Sequence, residues 1–140
     1  MAFPIQQNVI DFHRKFGHPA RDTPQNITEQ EAEQAYGFIE EELDELRAAL
    51  FSKEWSTCGE DFPCCDFQDE VYSPNLIESA DALGDIVFTA YGFAARLGID
   101  LDRVLAAICE SNMSKEANGM GKIKKGADYF PPRIAEALAV

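Results

Sequence analysis

An acidic helix in the first half of the chain restricts its fold more than any other feature. Residues 40–45 place five carboxylates in six positions. At ~100° per residue, apolar side chains of the same stretch still fall on one stripe. This predicted core stripe consists of Tyr36, Ile39, Leu43, Leu46 and Leu50. Glu41, Glu42 and Glu45 share a neighbouring arc, with Glu42 nearest the core. Because like charges one turn apart destabilise a helix, the run is either a solvated acidic face or a place for a cation.

Hydrophobic periodicity predicts four main helices and a short C-terminal one. The predicted spans are residues 4–16, 28–51, 74–97, 101–117 and 131–140. Thr28 and Glu31 match a capping box at the start of the second helix. Ser73 is expected to cap the third helix and Asp100 the fourth. Gly98 is expected to end the third helix in a left-handed conformation.

No segment of the sequence has the pattern of a β-strand, and the residues outside the predicted helices are interpreted as loops. Residues 52–72 are interpreted as a long surface loop and residues 119–126 as a flexible basic loop. On the fourth helix, the side chains expected to face inward are Leu101, Val104, Leu105, Ile108 and Met113. Residues 86–94 are apolar on nearly every side, which is typical of a helix buried in a large core or at a subunit interface. The sequence therefore predicts an all-α fold, in one domain over residues 1–140, assembled as an oligomer.

Composition argues against several classes of partner and site. The net charge of −13 opposes binding to nucleic acid or to an anionic membrane, because phosphates are met with Lys and Arg. No apolar run approaches the ~20 residues of a membrane span, and residues 1–7 lack the pattern of a secretory signal, so a cytoplasmic protein is expected. Cys58, Cys64, Cys65 and Cys109 lack the paired spacing of a zinc site and are interpreted as reduced thiols.

A second set of carboxylates recurs on the third predicted helix. Glu78, Asp81 and Asp85 stand at i, i+3 and i+7 and therefore share a face. Asp85 precedes an apolar run, and a buried carboxylate is costly unless it is paired or metal-bound. Two helices that present carboxylates to each other form an oxygen-rich cage suited to Mg²⁺ or Mn²⁺. The alternative is an ion pair between Asp85 and a base such as Lys115.

The fourth predicted helix carries two polar side chains one turn apart, Asn112 and Lys115. An amide and an ammonium on one face suit ribose or phosphate oxygens. The alternative is that both simply face solvent.

These residues resemble the signature of a known family. Glu41-Glu42-Leu43-Asp44-Glu45 matches EExxE, and Glu78-Ser79-Ala80-Asp81 is a literal ExxD. The segment 83–88 resembles the residues around the motif Asp of the family, which indicates that Asp85 is this Asp. In that alignment Ala82 stands where the family has Glu, and Asp81 would replace that Glu as a metal ligand. Ser111-Asn112-Met113-Ser114-Lys115 and Tyr129-Phe130-Pro131-Pro132 extend the likeness. The chain resembles the all-α nucleoside triphosphate pyrophosphatases, which include MazG-like proteins, phosphoribosyl-ATP pyrophosphohydrolase and the dimeric dUTPases.

The resemblance implies a MazG-like bundle that hydrolyses a (deoxy)nucleoside triphosphate between its α and β phosphates. Candidate substrates are dUTP, dGTP or a non-canonical nucleotide, and the implied cofactor is Mg²⁺ or Mn²⁺, with two or more ions per site. The implied metal ligands are Glu41, Glu42, Glu45, Glu78, Asp81 and Asp85, with Glu42 and Glu45 as the catalytic acids. The implied substrate-binding residues are Asn112, Lys115, Lys122, Lys125 and Tyr129, with His13 and Phe16 as base contacts. Glu40 and Asp44 are left as surface charge.

The resemblance also implies a homodimer or homotetramer, with no nucleic acid or membrane partner. A non-catalytic acidic helical module, for protein interaction or cation binding, is the alternative. That alternative predicts metal binding without turnover of any nucleoside triphosphate.

Overall fold

Helices account for most of the computed structural model, which describes residues 4–55, 68–117 and 121–139. The helices are α1 (Ile5–Phe16), α2 (Glu29–Leu50), α3 (Leu76–Leu97), α4 (Leu101–Met113) and α5 (Ile134–Leu138). The strands are β1 (Phe51–Trp55), β2 (Gln68–Tyr72), β3 (Glu116–Ala117) and β4 (Ile123–Lys124). The prediction of an all-α fold with four main helices and a short fifth is confirmed.

The chain divides into two compact units, residues 1–31 with 91–140 and residues 32–90. Helices α2 and α3 each contribute residues to both units. Within the described ranges, no helix by itself has the length and apolar composition of a membrane span, and α3 with α4 meets that test only as a pair bent by 113°.

In the first unit, the connector between α1 and α2 is fastened to the end of α3. The backbone N–H of Arg21 donates to the Ala95 carbonyl at 2.9 Å. Gly98 follows α3 with φ of 68°, and a Cβ at this position would come 2.1 Å from the carbonyl oxygen of Thr23. The predicted glycine stop is confirmed, because both the positive φ and the close backbone approach require glycine.

Two of the predicted helix caps are confirmed. The N–H of Glu31 donates to Thr28 Oγ1 at 3.2 Å, and the N–H of Thr28 donates to Glu31 Oε2 at 3.3 Å, as in a capping box. The carboxylate of Asp100 accepts the N–H of Arg103 at 3.1 Å. These contacts satisfy N–H groups that have no partner within their own helix.

The cap predicted for α3 is wrong. Asn75, not Ser73, caps this helix, since its Oδ1 accepts the N–H groups of Ile77 at 3.1 Å and Glu78 at 3.3 Å. The N–H of Ser73 instead donates to the Leu50 carbonyl at 2.9 Å. Residues 73–75 therefore run beside the end of α2 before the helix begins.

The expectation that no strand forms is wrong in two places. The first lies in the segment 52–72, where β1 and β2 pair antiparallel with Phe51 opposite Tyr72. Aromatic and β-branched residues favour strands, and the rings of Phe51 and Tyr72 meet edge to face with centroids 5.8 Å apart. The interpretation of the three cysteines in this segment falls on residues outside the described ranges, whereas Cys109 carries a free thiol at the surface.

The second hairpin lies where the fourth helix was predicted to continue. Helix α4 ends at Met113 rather than at 117, and β3 pairs antiparallel with β4, with Glu116 opposite Lys124. Opposite charges facing each other across two strands stabilise the pair. The pairing removes residues 116–117 from the helix and gives the second half of the predicted basic loop a defined backbone.

Some side chains predicted to be core are exposed instead. These are Tyr36, Leu43, Leu105 and Met113. On α2 the buried positions include Ala35 and Ala49, so the inward stripe is rotated relative to the predicted one. The predicted stripe consists of large apolar side chains, whereas close helix packing places small residues on the inner face of α2.

Candidate functional site

The buried face of α2 carries one carboxylate at its centre. Ala35 and Ala49 are almost solvent-excluded, and Glu42 lies two helical turns from each. Because two turns of an α-helix bring a side chain back to nearly the same direction, Glu42 points inward with these alanines. Glu41 and Glu45 remain exposed. The prediction that Glu42 lies nearest the core is confirmed.

Glu42 is held in an unfavourable electrostatic environment. Its Oε2 atom is excluded from solvent, and within the described part of the chain no group donates a hydrogen bond to it. Burial raises the pKa of Glu42 above its ordinary value, and the negative charges of Glu45, Asp85, Glu41 and Asp81 raise it further. A buried acceptor without a partner costs free energy, and repulsion by nearby carboxylates adds to that cost. A cation at this position would relieve both.

Carboxylates from α2 and α3 meet at a cleft of about 250 Å³ in the second unit. Glu45 lines it from α2, and Glu78 and Asp81 line it from α3. The rest of the lining consists of Ala48, Ala49 and Ala82. Ala82, where the resemblance expects Glu, is buried and lines the cleft with an apolar methyl group.

This donor set fits hard divalent cations. Carboxylate oxygens are the ligands that Mg²⁺ and Mn²⁺ prefer. Among the described side chains, no three of His, Cys, Asp or Glu are grouped closely enough to hold a metal ion by themselves. Mg²⁺ commonly binds through one or two carboxylates together with waters and substrate phosphates, so an open arrangement around Glu42 and Glu45 suits it. The acids of the cleft are therefore the residues that would hold such ions.

A separate basic cavity of about 500 Å³ lies in the first unit, beyond the end of α4. Its lining residues are Asn112, Lys115, Ile123, Lys124 and Lys125. Lys115 Nζ donates to Asn112 Oδ1 at 2.7 Å, which orients the amide and the ammonium together. The cavity brings together three of the side chains predicted to bind substrate and adds Lys124.

Lys124 was missed because the sequence alone did not distinguish among the lysines of the predicted loop. Pairing of β3 with β4 decides which of them line the cavity, and Lys122 is exposed and outside that lining. Tyr129 is partly buried, and Lys125 Nζ lies 4.8 Å from the centroid of its ring. The sequence signal for Lys124 is its place among the lysines at 122, 124 and 125, which marks the segment as basic without indicating which of them lines the cavity.

His13 lies in the interior of the first unit. Its Nδ1 donates to the Pro19 carbonyl at 2.8 Å, and a Cβ added to Gly92 would come 2.9 Å from its Nε2. Burial lowers the pKa of His13, partly offset by the Pro19 hydrogen bond, and the charge of Arg96 lowers it further. The ring therefore packs as a neutral imidazole. Phe16, by contrast, is exposed, so only one of the two predicted base contacts lies at the surface.

Comparison with known proteins identifies the family of the chain. A model of the phosphoribosyl-ATP pyrophosphohydrolase family matches residues 9–112. The matched span contains both carboxylate-bearing helices and ends at Asn112, before the lysine-lined hairpin. The search of curated proteins gave no match. The chain therefore belongs to the phosphoribosyl-ATP pyrophosphohydrolase family, within the MazG-like all-α superfamily of nucleotide pyrophosphohydrolases.

Proposed function

We propose that this chain is a metal-dependent nucleoside triphosphate pyrophosphohydrolase. It cleaves its substrate between the α and β phosphates and releases the monophosphate and pyrophosphate. One observation carries the proposal: the solvent-excluded Oε2 of Glu42 has no partner among the described residues and is surrounded by other carboxylates. Such an acceptor is costly in a metal-free protein, which is expected where a cation belongs.

The proposed ligands of the divalent cations are the acids that line the cleft, together with Glu42 and two acids whose charges act on it. They are Glu41, Glu42, Glu45, Glu78, Asp81 and Asp85. When bound, two or more Mg²⁺ or Mn²⁺ ions would neutralise charge on the phosphates and acidify an attacking water. Glu42 is proposed to orient this water and accept its proton, with Glu45 beside it. The oxygen of the water forms a bond to one phosphorus of the α–β linkage, and the bond from that phosphorus to the bridging oxygen breaks. The oxygen of the water thus enters one product, and the bridging oxygen stays on the other with the electron pair.

The proposed contacts to the substrate lie in the first unit. Asn112, Lys115 and Lys125 would bind phosphate oxygens, because amide and ammonium groups donate charge-assisted hydrogen bonds to them. Lys122 and Phe16, which are both exposed, complete the proposed set, whereas His13 is left out because it is buried. The two units are proposed to act as one MazG-like domain over residues 1–140.

The base and sugar are the open part of the substrate. A (deoxy)nucleoside triphosphate such as dUTP, dGTP or a non-canonical nucleotide is the first candidate. The family match favours a second candidate, phosphoribosyl-ATP itself. Both carry the same α–β phosphate linkage, so the same acids and cations would serve either one.

A panel of these nucleotides, assayed with Mg²⁺ and with Mn²⁺ for pyrophosphate release, tests the proposal. Glu42→Gln and Asp85→Asn are expected to abolish release while circular dichroism shows an intact helical fold. Glu40→Gln and Asp44→Asn are matched controls on exposed positions of α2 and are expected to retain activity. Full activity of either site variant would overturn the assignment of the acids. Cation binding without turnover of any nucleotide would favour a non-catalytic cation-binding module instead.

The chain is further proposed to form a homodimer or homotetramer in the cytoplasm. Large apolar side chains are exposed in the second unit, namely Tyr72, Leu76, Ile77, Leu83 and Val87, and patches of this kind mark interaction sites. The net charge of −13 argues against nucleic acid or membrane as the partner. Light scattering is expected to show a dimer or larger species that Ile77→Lys weakens. A monomer at micromolar concentration would refute the assembly.

A further inference from the structure

Two serines of the fourth helix hold the chain that follows the lysine-lined hairpin. Ser111, which is almost fully buried, donates from Oγ to the Phe130 carbonyl at 2.8 Å. Ser114 Oγ accepts the N–H of Phe130 at 3.2 Å and itself donates to the Ser111 carbonyl at 2.7 Å. Both backbone polar groups of Phe130 are therefore bonded to serine side chains. This double contact fixes residue 130 against the end of α4.

Tyr129 immediately precedes this anchored residue, and its ring contacts a lysine of the basic cavity. Lys125 Nζ lies 4.8 Å from the ring centroid, within the range of a cation–π interaction. The same lysine lines the cavity with Asn112 and Lys115. The ring is thus engaged with an ammonium group, whereas the family resemblance implies that Tyr129 itself binds the substrate.

We propose that Tyr129 is a positioning residue that holds Lys125 for a polyphosphate, and that Ser111 and Ser114 hold Tyr129 in place through Phe130. The ligand class rests on the proposed function, since it takes the basic cavity to bind the phosphates of the substrate. A lysine that is already oriented loses less conformational entropy on binding than a free one. The aromatic face of Tyr129 supplies this orientation, and its hydroxyl is not needed for it.

Inorganic tripolyphosphate is the probe that isolates this contact, because it has no sugar or base. Its binding is measured by isothermal calorimetry in the presence of Mg²⁺. Tyr129→Phe keeps the ring and is expected to bind like the parent protein. Tyr129→Leu removes the ring and is expected to weaken binding about two- to fivefold, the change that corresponds to an exposed cation–π contact. Lys125→Gln, at an exposed position, is expected to weaken binding at least as much.

A double-mutant cycle separates positioning from a direct contact. If Tyr129 acts through Lys125, Tyr129→Leu changes nothing further once Lys125 is Gln, because coupled residues are not additive. Ser114→Ala is expected to weaken binding in the same direction, and Ser114→Thr, which keeps the hydroxyl, to restore it. Cys109→Ala, on the same helix and exposed, is the control and is expected to have no effect.

Each of four results would overturn the inference: unchanged binding in Tyr129→Leu, a loss in Tyr129→Phe equal to that in Tyr129→Leu, additive effects of the Tyr129 and Lys125 changes, or no binding of tripolyphosphate by the parent protein. The inference and the proposed function fail separately. If the protein turns over nucleotides and Tyr129→Leu binds tripolyphosphate like the parent, the inference about Tyr129 is refuted and the proposed function is retained. Tripolyphosphate binding that depends on Lys125, without turnover of any nucleotide, would refute only the function.

Discussion

Glu42→Gln is expected to make the metal-free protein more stable while it removes activity. Glutamine has nearly the same size as glutamate but carries no charge and adds an N–H donor. In the parent, Oε2 of Glu42 is solvent-excluded and accepts no hydrogen bond from the described residues. Neighbouring carboxylates such as Glu45 and Asp85 raise the pKa of Glu42 in addition to burial. The substitution removes this repulsion and offers these acids a donor.

The magnitude follows from the same contacts. An unsatisfied buried polar atom costs about 1–3 kcal/mol, and a new hydrogen bond contributes about 1 kcal/mol. The amide oxygen of glutamine is still an acceptor without a donor, which offsets part of this gain. We therefore expect Glu42→Gln to raise the free energy of unfolding by about 1–2 kcal/mol at pH 7 without divalent cations. For a chain of this length, the midpoint of thermal unfolding rises by about 3–7 °C.

The pH dependence has a definite sign. The pKa of Glu42 in the folded state lies above its unfolded value, so the native state binds the proton more tightly and the parent loses stability as pH rises through this interval. The advantage of the glutamine variant is therefore full above the folded-state pKa. It disappears as pH falls below the ordinary range of a glutamate.

Thermal unfolding followed by circular dichroism, first in EDTA and then with Mn²⁺ or Mg²⁺, measures the effect. A ligand at 100 times its Kd stabilises a protein by about 2.7 kcal/mol. Saturating cation is therefore expected to make the parent more stable than the variant, which reverses the order of stabilities in EDTA. Glu40→Gln is the exposed control and is expected to change stability by less than about 0.5 kcal/mol. The reasoning is refuted if Glu42→Gln is less stable than the parent in EDTA, or if both respond equally to the cation.

Three further predictions concern the first unit and the helix starts. Gly92→Ala is expected to destabilise the protein by about 1–3 kcal/mol in urea unfolding, because its Cβ would lie 2.9 Å from His13 Nε2. Gly37→Ala is the control, because a Cβ there meets nothing within 4 Å. Equal losses of stability in the two variants would contradict this account. Because burial lowers the pKa of His13 below its usual 6.5, the free energy of unfolding is expected to fall as pH drops below about 6.5, and a His13→Gln variant that keeps the same slope would contradict it. Thr28→Ala is expected to lower the free energy of unfolding by about 1 kcal/mol, whereas Thr28→Ser is expected to leave it nearly unchanged in the same assay. If Thr28→Ala leaves it unchanged too, the capping box does not contribute to stability.

Local signals in the sequence predicted most helix boundaries. Asp100 and the pair Thr28 and Glu31 act through contacts with residues three positions away, so their roles can be recognised in one segment alone. The positive φ of Gly98 is also local, but its close approach to Thr23 depends on the fold. Asn75 was missed because two adjacent helix starts compete there, and the choice depends on where the chain leaves the end of α2. The pairing of β1 with β2 was missed because both strands are short and because twelve residues with no strand pattern separate them in the sequence.

The sequence by itself determined the helical class, the family signature and the presence of two acidic helices, since periodicity and motif spacing are properties of the chain alone. Only the tertiary structure decided that Oε2 of Glu42 is excluded from solvent and has no hydrogen-bond partner among the described residues. Tyr36 and Leu43 outweigh Ala35 and Ala49 in hydrophobicity, but close packing of helices favours the small residues, and this rotates Glu42 inward. The fold likewise engages Tyr129 with Lys125 through a β-pairing and two serine hydrogen bonds that no local pattern specifies.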